Sequence, residues 1–183
     1  MQEIMDAQWF FGAHQQGGSL NECSVETNAI ARPIQSLPAI PDELLASMMR
    51  VQHTLLGTPQ IEVHTEHIIH GGIYTRTIRM KPGTYVMGAL YKVPTTVVLS
   101  GTLWAFTGTK WAKFNGYHVI AASRGRKQKF ATPPENLEDA VITMSFRTDA
   151  KTVKEAEEEM TQEHELLMSR RSDTDSVLIT EER

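Results

Sequence analysis

The sequence predicts a mainly β protein: a sandwich or closed barrel of short strands, with one helix before it and one after. Three observations predict this. Between Ile61 and Arg147, β-branched, aromatic and aliphatic residues come in short runs separated by Gly, Pro, Asn or Ser. The turn signals recur at near-regular spacing: Gly71-Gly72, Pro82-Gly83, Gly101, Thr107-Gly108-Thr109, Asn115-Gly116 and Arg124-Gly125. On either side of this region the apolar spacing changes from strand-like to helical.

Taken in order, residues 1–40 read as an N-terminal arm or linker. Gly17-Gly18-Ser19 and Pro33, Pro38 and Pro41 punctuate it. Its Trp9-Phe10-Phe11 cluster is either a tether to a partner or a fold-back onto the domain. Residues 41–57 form a helix: Pro41 suits a first turn, and Asp42 and Glu43 suit the positive end of the helix dipole. Leu44, Leu45, Met48, Met49, Val51, Leu55 and Leu56 give this helix a broad apolar face, and Gly57 and Pro59 stop it. That face packs on its own domain or across a dimer. Residues 58–148 form the β-domain, with strands expected over 61–69, 73–80, 84–91, 95–100, 102–107, 111–114, 117–122, 127–131 and 140–147. Asn115-Gly116 suits a two-residue hairpin, because both residues accept positive φ. Residues 149–171 read as a second helix, with Asp149 as cap and a weak stripe of Val153, Ala156, Met160, Leu166 and Leu167. The acidic run Glu155 to Glu159 reads as its solvated face. Residues 172–183 read as a polar, mobile tail.

Composition narrows the function. The 183 residues carry a net charge of −4, with 40% hydrophobic and 22% charged residues, the balance of a globular domain without a nucleic-acid-binding excess of Lys and Arg. Cys23 is the only cysteine, so no disulfide forms within the chain. The first fourteen residues lack the basic start and apolar core of a signal peptide, and no apolar run has the length to cross a bilayer. Neither a membrane nor nucleic acid is an expected partner.

The turn motifs carry a family resemblance. The chain reads Met80-Lys81-Pro82-Gly83-Thr84, then Gly88-Ala89-Leu90-Tyr91, then Val97-Val98-Leu99-Ser100-Gly101; later come Asn115-Gly116-Tyr117-His118 and Ser123-Arg124-Gly125-Arg126-Lys127-Gln128. This order resembles the cupin superfamily, and the resemblance implies a jelly-roll or double-stranded β-helix barrel with flanking helices. In that family two motifs supply His, His, Glu and His to one divalent metal. Starting the first motif at Gly83 puts Ala89 and Tyr91 at the His-x-His positions, the Glu at Pro94 or Thr95, and the closing glycine at Gly101, one residue short of the strict spacing. Starting the second at Gly116 puts Ser123 at its Pro, Gly125 near its Gly, and Gln128 at its final His. The turn glycines are kept and the ligands are not. The chain is similar in particular to a cupin-like subgroup encoded by tailed bacteriophages, through His64 to His70, Gly72-Ile73-Tyr74-Thr75-Arg76, Pro82-Gly83 and Thr148-Asp149-Ala150. Metal-competent members carry His where this chain has Tyr91. The resemblance implies a place in the bacterial host cytoplasm or the virion.

Two constellations are candidate sites. Tyr74, Arg76, Tyr85, Tyr91, Trp104 and Gln128 line a pocket at the barrel mouth, or simply fill the barrel. His64, Glu66 and His70 share one strand face and His67 points to the other; with His118 they make an alternative metal site, against the plainer reading of a polar outer face or a protonation-sensitive interface. Arg124, Arg126, Lys127 and Lys129 read as a solvated basic loop that could also dock an acidic group. No catalytic residue is assigned. The expected function is therefore non-enzymatic: a phage-encoded binding or virion-associated structural protein without a cofactor. It pairs with itself as a dimer or higher oligomer, in part through the 42–56 helix, and with other phage structural proteins. The alternatives are a metal-dependent cupin enzyme of isomerase or dioxygenase type with displaced ligands, holding one divalent ion, and a small-molecule-binding regulator.

Overall fold

The structure is a computed structural model that describes residues 35–170 and 175–180. The aromatic cluster at 9–11, Gly17-Gly18 and Cys23 lie outside the described residues. The chain order is β1 (Gln35–Leu37), α1 (Asp42–Leu56), β2 (Thr65–His70), β3 (Ile73–Met80), β4 (Tyr85–Leu90), β5 (Thr95–Ser100), β6 (Thr102–Phe106), β7 (Trp111–Asn115), β8 (His118–Ala122), β9 (Lys127–Ala131), β10 (Ala140–Arg147), α2 (Val153–Met160), two short 3-10 turns (His164–Leu166 and Met168–Arg170) and β11 (Ser176–Ile179).

The pairing of β3 to β10 is nested. β3 pairs with β10, β4 with β9, β5 with β8 and β6 with β7, all antiparallel. This is one long hairpin of four strands and their returns, rolled up so that alternate pairs enter alternate sheets. The β10·β5 and β6·β9 ladders then join the pairs within each sheet. The result is a jelly roll. The larger sheet has the order β1-β8-β5-β10-β3-β2-β11 and the smaller β4-β9-β6-β7. Two facing sheets, rather than a barrel closed by hydrogen bonds, enclose the core.

Strand alternation sets the core. Even-numbered residues of β3 and β10 face inward, with Tyr74, Arg76, Met80, Ala140, Ile142, Met144 and Phe146 buried. Their outward neighbours pair across the ladder, Thr77 with Thr143 and Thr75 with Ser145, each at 2.9 Å. Leu99, Leu103 and Ile120 complete the interior from the other strands. Gly71 and Gly72 close the β2–β3 hairpin at φ of 56° and 71°, the region a tight hairpin needs. Asn115-Gly116 makes no hairpin: it carries the chain from β7 in the smaller sheet to β8 in the larger, with φ of 82° at Gly116.

Helix α1 lies on the outer face of the smaller sheet. Met48 packs with Ile40 and Phe106, and Leu44, Leu45, Met87 and Trp111 surround them. The domain thus buries Met48 and half-covers Leu44, Leu45, Val51 and Leu55, while Met49 and Leu56 on the same helix are exposed.

Three segments differ from expectation. From Gln35 onward the expected arm belongs to the fold: β1 adds in parallel to β8, and Leu37 and Ile40 are buried. The expected helix over 149–171 is α2 alone, started by a Thr152/Glu155 capping box and ended by extended Thr161, followed by the 3-10 turns. Within the expected tail, β11 pairs in parallel with β2. Its Val177-Leu178-Ile179 run has strand propensity, and β2 offers it an open edge.

Candidate functional site: the interior of the jelly roll

A cavity of about 380 Å³ lies between the sheets. Thr65, Arg76, Ile78, Ile142 and Met144 form the wall from the larger sheet, and Val86, Gly88, Ala89, Tyr91 and Phe130 the wall from the smaller. The end of α1 with residues 58–61 borders one side, and Met160 with Leu166, Leu167 and Met168 borders the other. A register shift between Met87 and Leu90 breaks the β4–β9 ladder there. Gly88 has no positive φ, yet a Cβ on it would stand 3.4 Å from the Cβ and the carbonyl oxygen of Gln128. That is van der Waals contact with the neighbouring strand, and Gly88 and Ala89 both line the cavity with little side-chain volume.

Arg76 is the charged side chain of the cavity wall and is 7% exposed. Its Nη1 donates to Glu157 Oε1 at 2.8 Å and to Ser169 Oγ at 2.9 Å. Glu157 Oε2 accepts from Arg170 Nε at 2.6 Å, and the Ser169 hydroxyl donates to Glu157 Oε1. Glu157 itself is buried, a correction to the solvated acidic face. The signal was in the sequence: Val153, Ala156, Glu157 and Met160 follow the i, i+3, i+4, i+7 spacing of one helix face.

Of the expected pocket residues, Arg76, Tyr85 and Tyr91 line the cavity. Burial pushes the Tyr91 phenol up to about 12, so it stays protonated at neutral pH. Tyr74 is fully buried behind the cavity, against His67 and Phe146. Trp104 faces the other side of β6, with Lys113 5.9 Å from its ring. Gln128 is buried next to Gly88 without lining the cavity, and neither atom of its amide has a protein partner. The basic loop is also corrected: Arg126, Lys127 and Lys129 are buried. Arg126 donates to the carbonyls of Phe106 and Thr107, Lys127 pairs with Glu163, and Lys129 stands 4.2 Å from the Phe106 ring.

The four histidines do not converge. His64 lies 4.0 Å from Glu66 on the surface, His70 bonds Thr180 at 2.6 Å, and His118 stacks edge-on against Phe114 at 5.1 Å. His67 points into the sandwich. Among the described residues no cluster of three or more His, Cys, Asp and Glu side chains is placed to hold a metal. At the positions aligned with the resembled ligands, Ala89, Tyr91, Thr95 and Gln128 supply neither imidazole nor carboxylate, so the donor set does not fit a divalent ion.

His67 instead closes a buried chain. Its Nε2 lies 3.2 Å from Asp175 Oδ2 and its Nδ1 2.7 Å from the Tyr74 hydroxyl. A carboxylate only accepts, so Nε2 carries the proton and Nδ1 accepts from Tyr74. Burial first, and then the Arg76 charge, hold the imidazole below its ordinary range, with Asp175 opposing. The unfolded chain takes up this proton near about pH 6.5 while the folded chain does not, so stability falls as pH drops below that value. Between about pH 7 and about pH 5 the melting temperature is expected to fall less steeply in His67→Gln than in the unsubstituted chain. Parallel curves would remove His67 from the acid response.

No protein-family model matches the chain and no curated protein matches it. Solved structures do, and they include cupin-domain proteins. The cupin domain of Cnp3 from Schizosaccharomyces pombe is 11% identical, covering 52% of this chain and 67% of that one at a TM-score of 0.40. A cupin 2 conserved barrel domain protein from Salinispora arenicola is 11% identical over 44% of this chain and 67% of its own, at 0.36. An oxalate oxidase in complex with glycolate is 14% identical over 51% of this chain and 54% of its own, at 0.38. The similar structures also include a polyketide cyclase and a domain of a transcriptional regulator, so they span enzymes and regulators. The class is a jelly-roll domain, and that assignment stands on the nested strand pairing of this chain. Among the described residues no helix is long and apolar enough to cross a membrane.

Proposed function

We propose that this chain is a non-enzymatic binding protein that takes an apolar small molecule into the interior of its jelly roll. One observation carries the reading: the cavity is open and apolar at the very wall where the resembled motifs place metal ligands and this chain places Ala89 and Tyr91. Its size falls within the range of small-molecule sites, roughly 300–1,000 Å³. Met87, Met144, Met160 and Met168 give the lining adaptable walls. Among the described residues the lining includes no carboxylate, imidazole or thiol to move protons or attack a substrate, which favours binding over catalysis. A metal-dependent enzyme with displaced ligands asks for donors that His64, His67, His70 and His118 do not bring together. Self-association belongs to the proposal, and the strands offer a surface for it besides the 42–56 helix: Val177, Leu178 and Ile179 on β11, with Ile68 and Ile73 beside them, are exposed at the sheet edge. A role in a phage particle rests on the sequence resemblance.

The neutral dye N-phenyl-1-naphthylamine tests the cavity. Saturable fluorescence enhancement at one dye per chain is expected. Ala89→Phe, which puts a ring into the cavity, is expected to weaken it about tenfold or more while circular dichroism and melting stay unchanged. Absence of saturable binding, or equal affinity in a folded Ala89→Phe protein, would overturn the reading.

A further inference from the structure

One edge of the larger sheet is open. β11 is its last strand: it pairs in parallel with β2, and among the described residues no strand lies on its other side. The Thr180 N–H donates to the Ile69 carbonyl at 3.0 Å, so it points to β2. Backbone groups alternate in direction along a strand, so those of Ser176 and Leu178 also point to β2, and those of Val177 and Ile179 point away from the sheet. Natural edges are blunted by charge, proline or a bulge. The stretch from Ser176 to Thr180 has none of these: its side chains are uncharged, it lacks proline, and its register on β2 is unbroken. Val177 and Leu178 are each 54% exposed and Ile179 is 44% exposed. The register sets Leu178 beside Ile68 on the outer face, where Ile73 is also exposed, and puts Val177 and Ile179 on the opposite face.

Resting on the self-association proposed above, we infer that β11 pairs antiparallel with β11 of a second copy, about a two-fold axis at Leu178, and joins two larger sheets into one. The register follows from the outward backbone groups. An antiparallel hydrogen-bonded pair exchanges both of its N–H···O bonds. Setting Val177 of each copy against Ile179 of the other pairs every outward group of the strand. It also places Leu178 against its own copy, in the non-hydrogen-bonded position where side chains approach most closely. Pairing about Val177 would instead set Ile179 against the carboxylate of Asp175. Within residues 176–180 no like charges meet across the axis, and on the outer face Leu178 and Ile68 of both copies join into one apolar patch. The contact uses the same surface on each copy, so it closes at two and leaves neither edge open. Met49 and Leu56 are also exposed, on α1, but a helix satisfies its backbone internally and offers no such register.

Sedimentation equilibrium of the full chain at micromolar concentrations tests this, and a dimer of twice the 20.5 kDa chain mass is expected. Ile179→Pro removes only an N–H that points away from β2, so the fold tolerates it and the pairing between copies does not. Association should weaken about tenfold or more, with circular dichroism unchanged. Leu178→Lys, at an exposed position, sets like charges against each other at the axis and should act in the same direction even where the proline variant fails to fold. Met49→Glu combined with Leu56→Glu should leave the dimer intact. A dimer as tight in either folded edge variant as in the unsubstituted protein would overturn the edge pairing, with self-association still standing; its loss in the helix variant alone would move the contact to α1. A monomer in the unsubstituted protein would overturn self-association and the inference together, and leave the edge to a strand of another protein.

Discussion

Glu163→Ala is expected to destabilise the protein by about 3–5 kcal/mol, the range for removing one partner of a buried ion pair. Lys127 is fully buried, and its Nζ donates to both carboxylate oxygens of Glu163, at 2.8 and 2.7 Å. Glu163 Oε2 also accepts the backbone N–H of Leu90 at 2.7 Å, where β4 leaves its regular ladder. Alanine leaves an ammonium group without counter-charge and a strand N–H without acceptor. Burial already lowers the Lys127 pKa, and Glu163 is what raises it. With Glu163 gone only the lowering influence of burial remains. The unfolded chain then holds the proton up to about pH 10.4 while the folded chain gives it up earlier, so the variant should regain stability as pH rises toward that value. Urea unfolding at two pH values measures this. Lys127→Met combined with Glu163→Gln should recover most of the loss at neutral pH, because the charge that needs matching is gone. A loss below about 1 kcal/mol in Glu163→Ala, typical of a surface pair, would show that Lys127 reaches water.

Glu157→Ala is expected to cost a similar amount, about 3–5 kcal/mol, and its neighbour Glu158→Ala less than about 0.5 kcal/mol. The two residues sit side by side in one acidic run. Glu157 is buried and accepts from Arg76, Ser169 and Arg170, whereas Glu158 is 42% exposed and 3.8 Å from Arg170. At roughly 2–4 °C per kcal/mol for a chain of this size, the first change lowers the melting temperature by about 10 °C and the second leaves it nearly unmoved. Equal melting temperatures for the two variants would return Glu157 to the solvated face that its sequence context suggests.

That contrast shows what was legible. The nine expected strands from 61 to 147 correspond to β2 through β10, because alternation and glycine turns are local signals. Helix α1 was legible for the same reason, from Pro41, its acidic first turn and Gly57. β11 was not: a four-residue strand has too little pattern of its own and exists because β2 offers it a partner. The second helix was extended too far because Leu166 and Leu167 continue an apolar spacing that Thr161 interrupts. Of the six residues expected at the barrel mouth, Arg76, Tyr85 and Tyr91 line the cavity, while Trp104 faces the other way, Tyr74 lies behind the cavity and Gln128 is buried beside it.

The sequence by itself determined the class of fold, the order of its elements and the lack of metal-ligating side chains at the aligned motif positions. Each of these depends on residue identity or on spacing over a few positions. Only the tertiary structure decided which charges are buried and which partners match them. Lys127 and Glu163 are 36 residues apart, Arg76 and Glu157 81, and His67 and Asp175 108. An isolated charged residue reads as solvated because exposure is the usual state of a charge. Its burial becomes favourable only when folding brings a distant opposite charge within hydrogen-bonding distance, and no local pattern records that meeting.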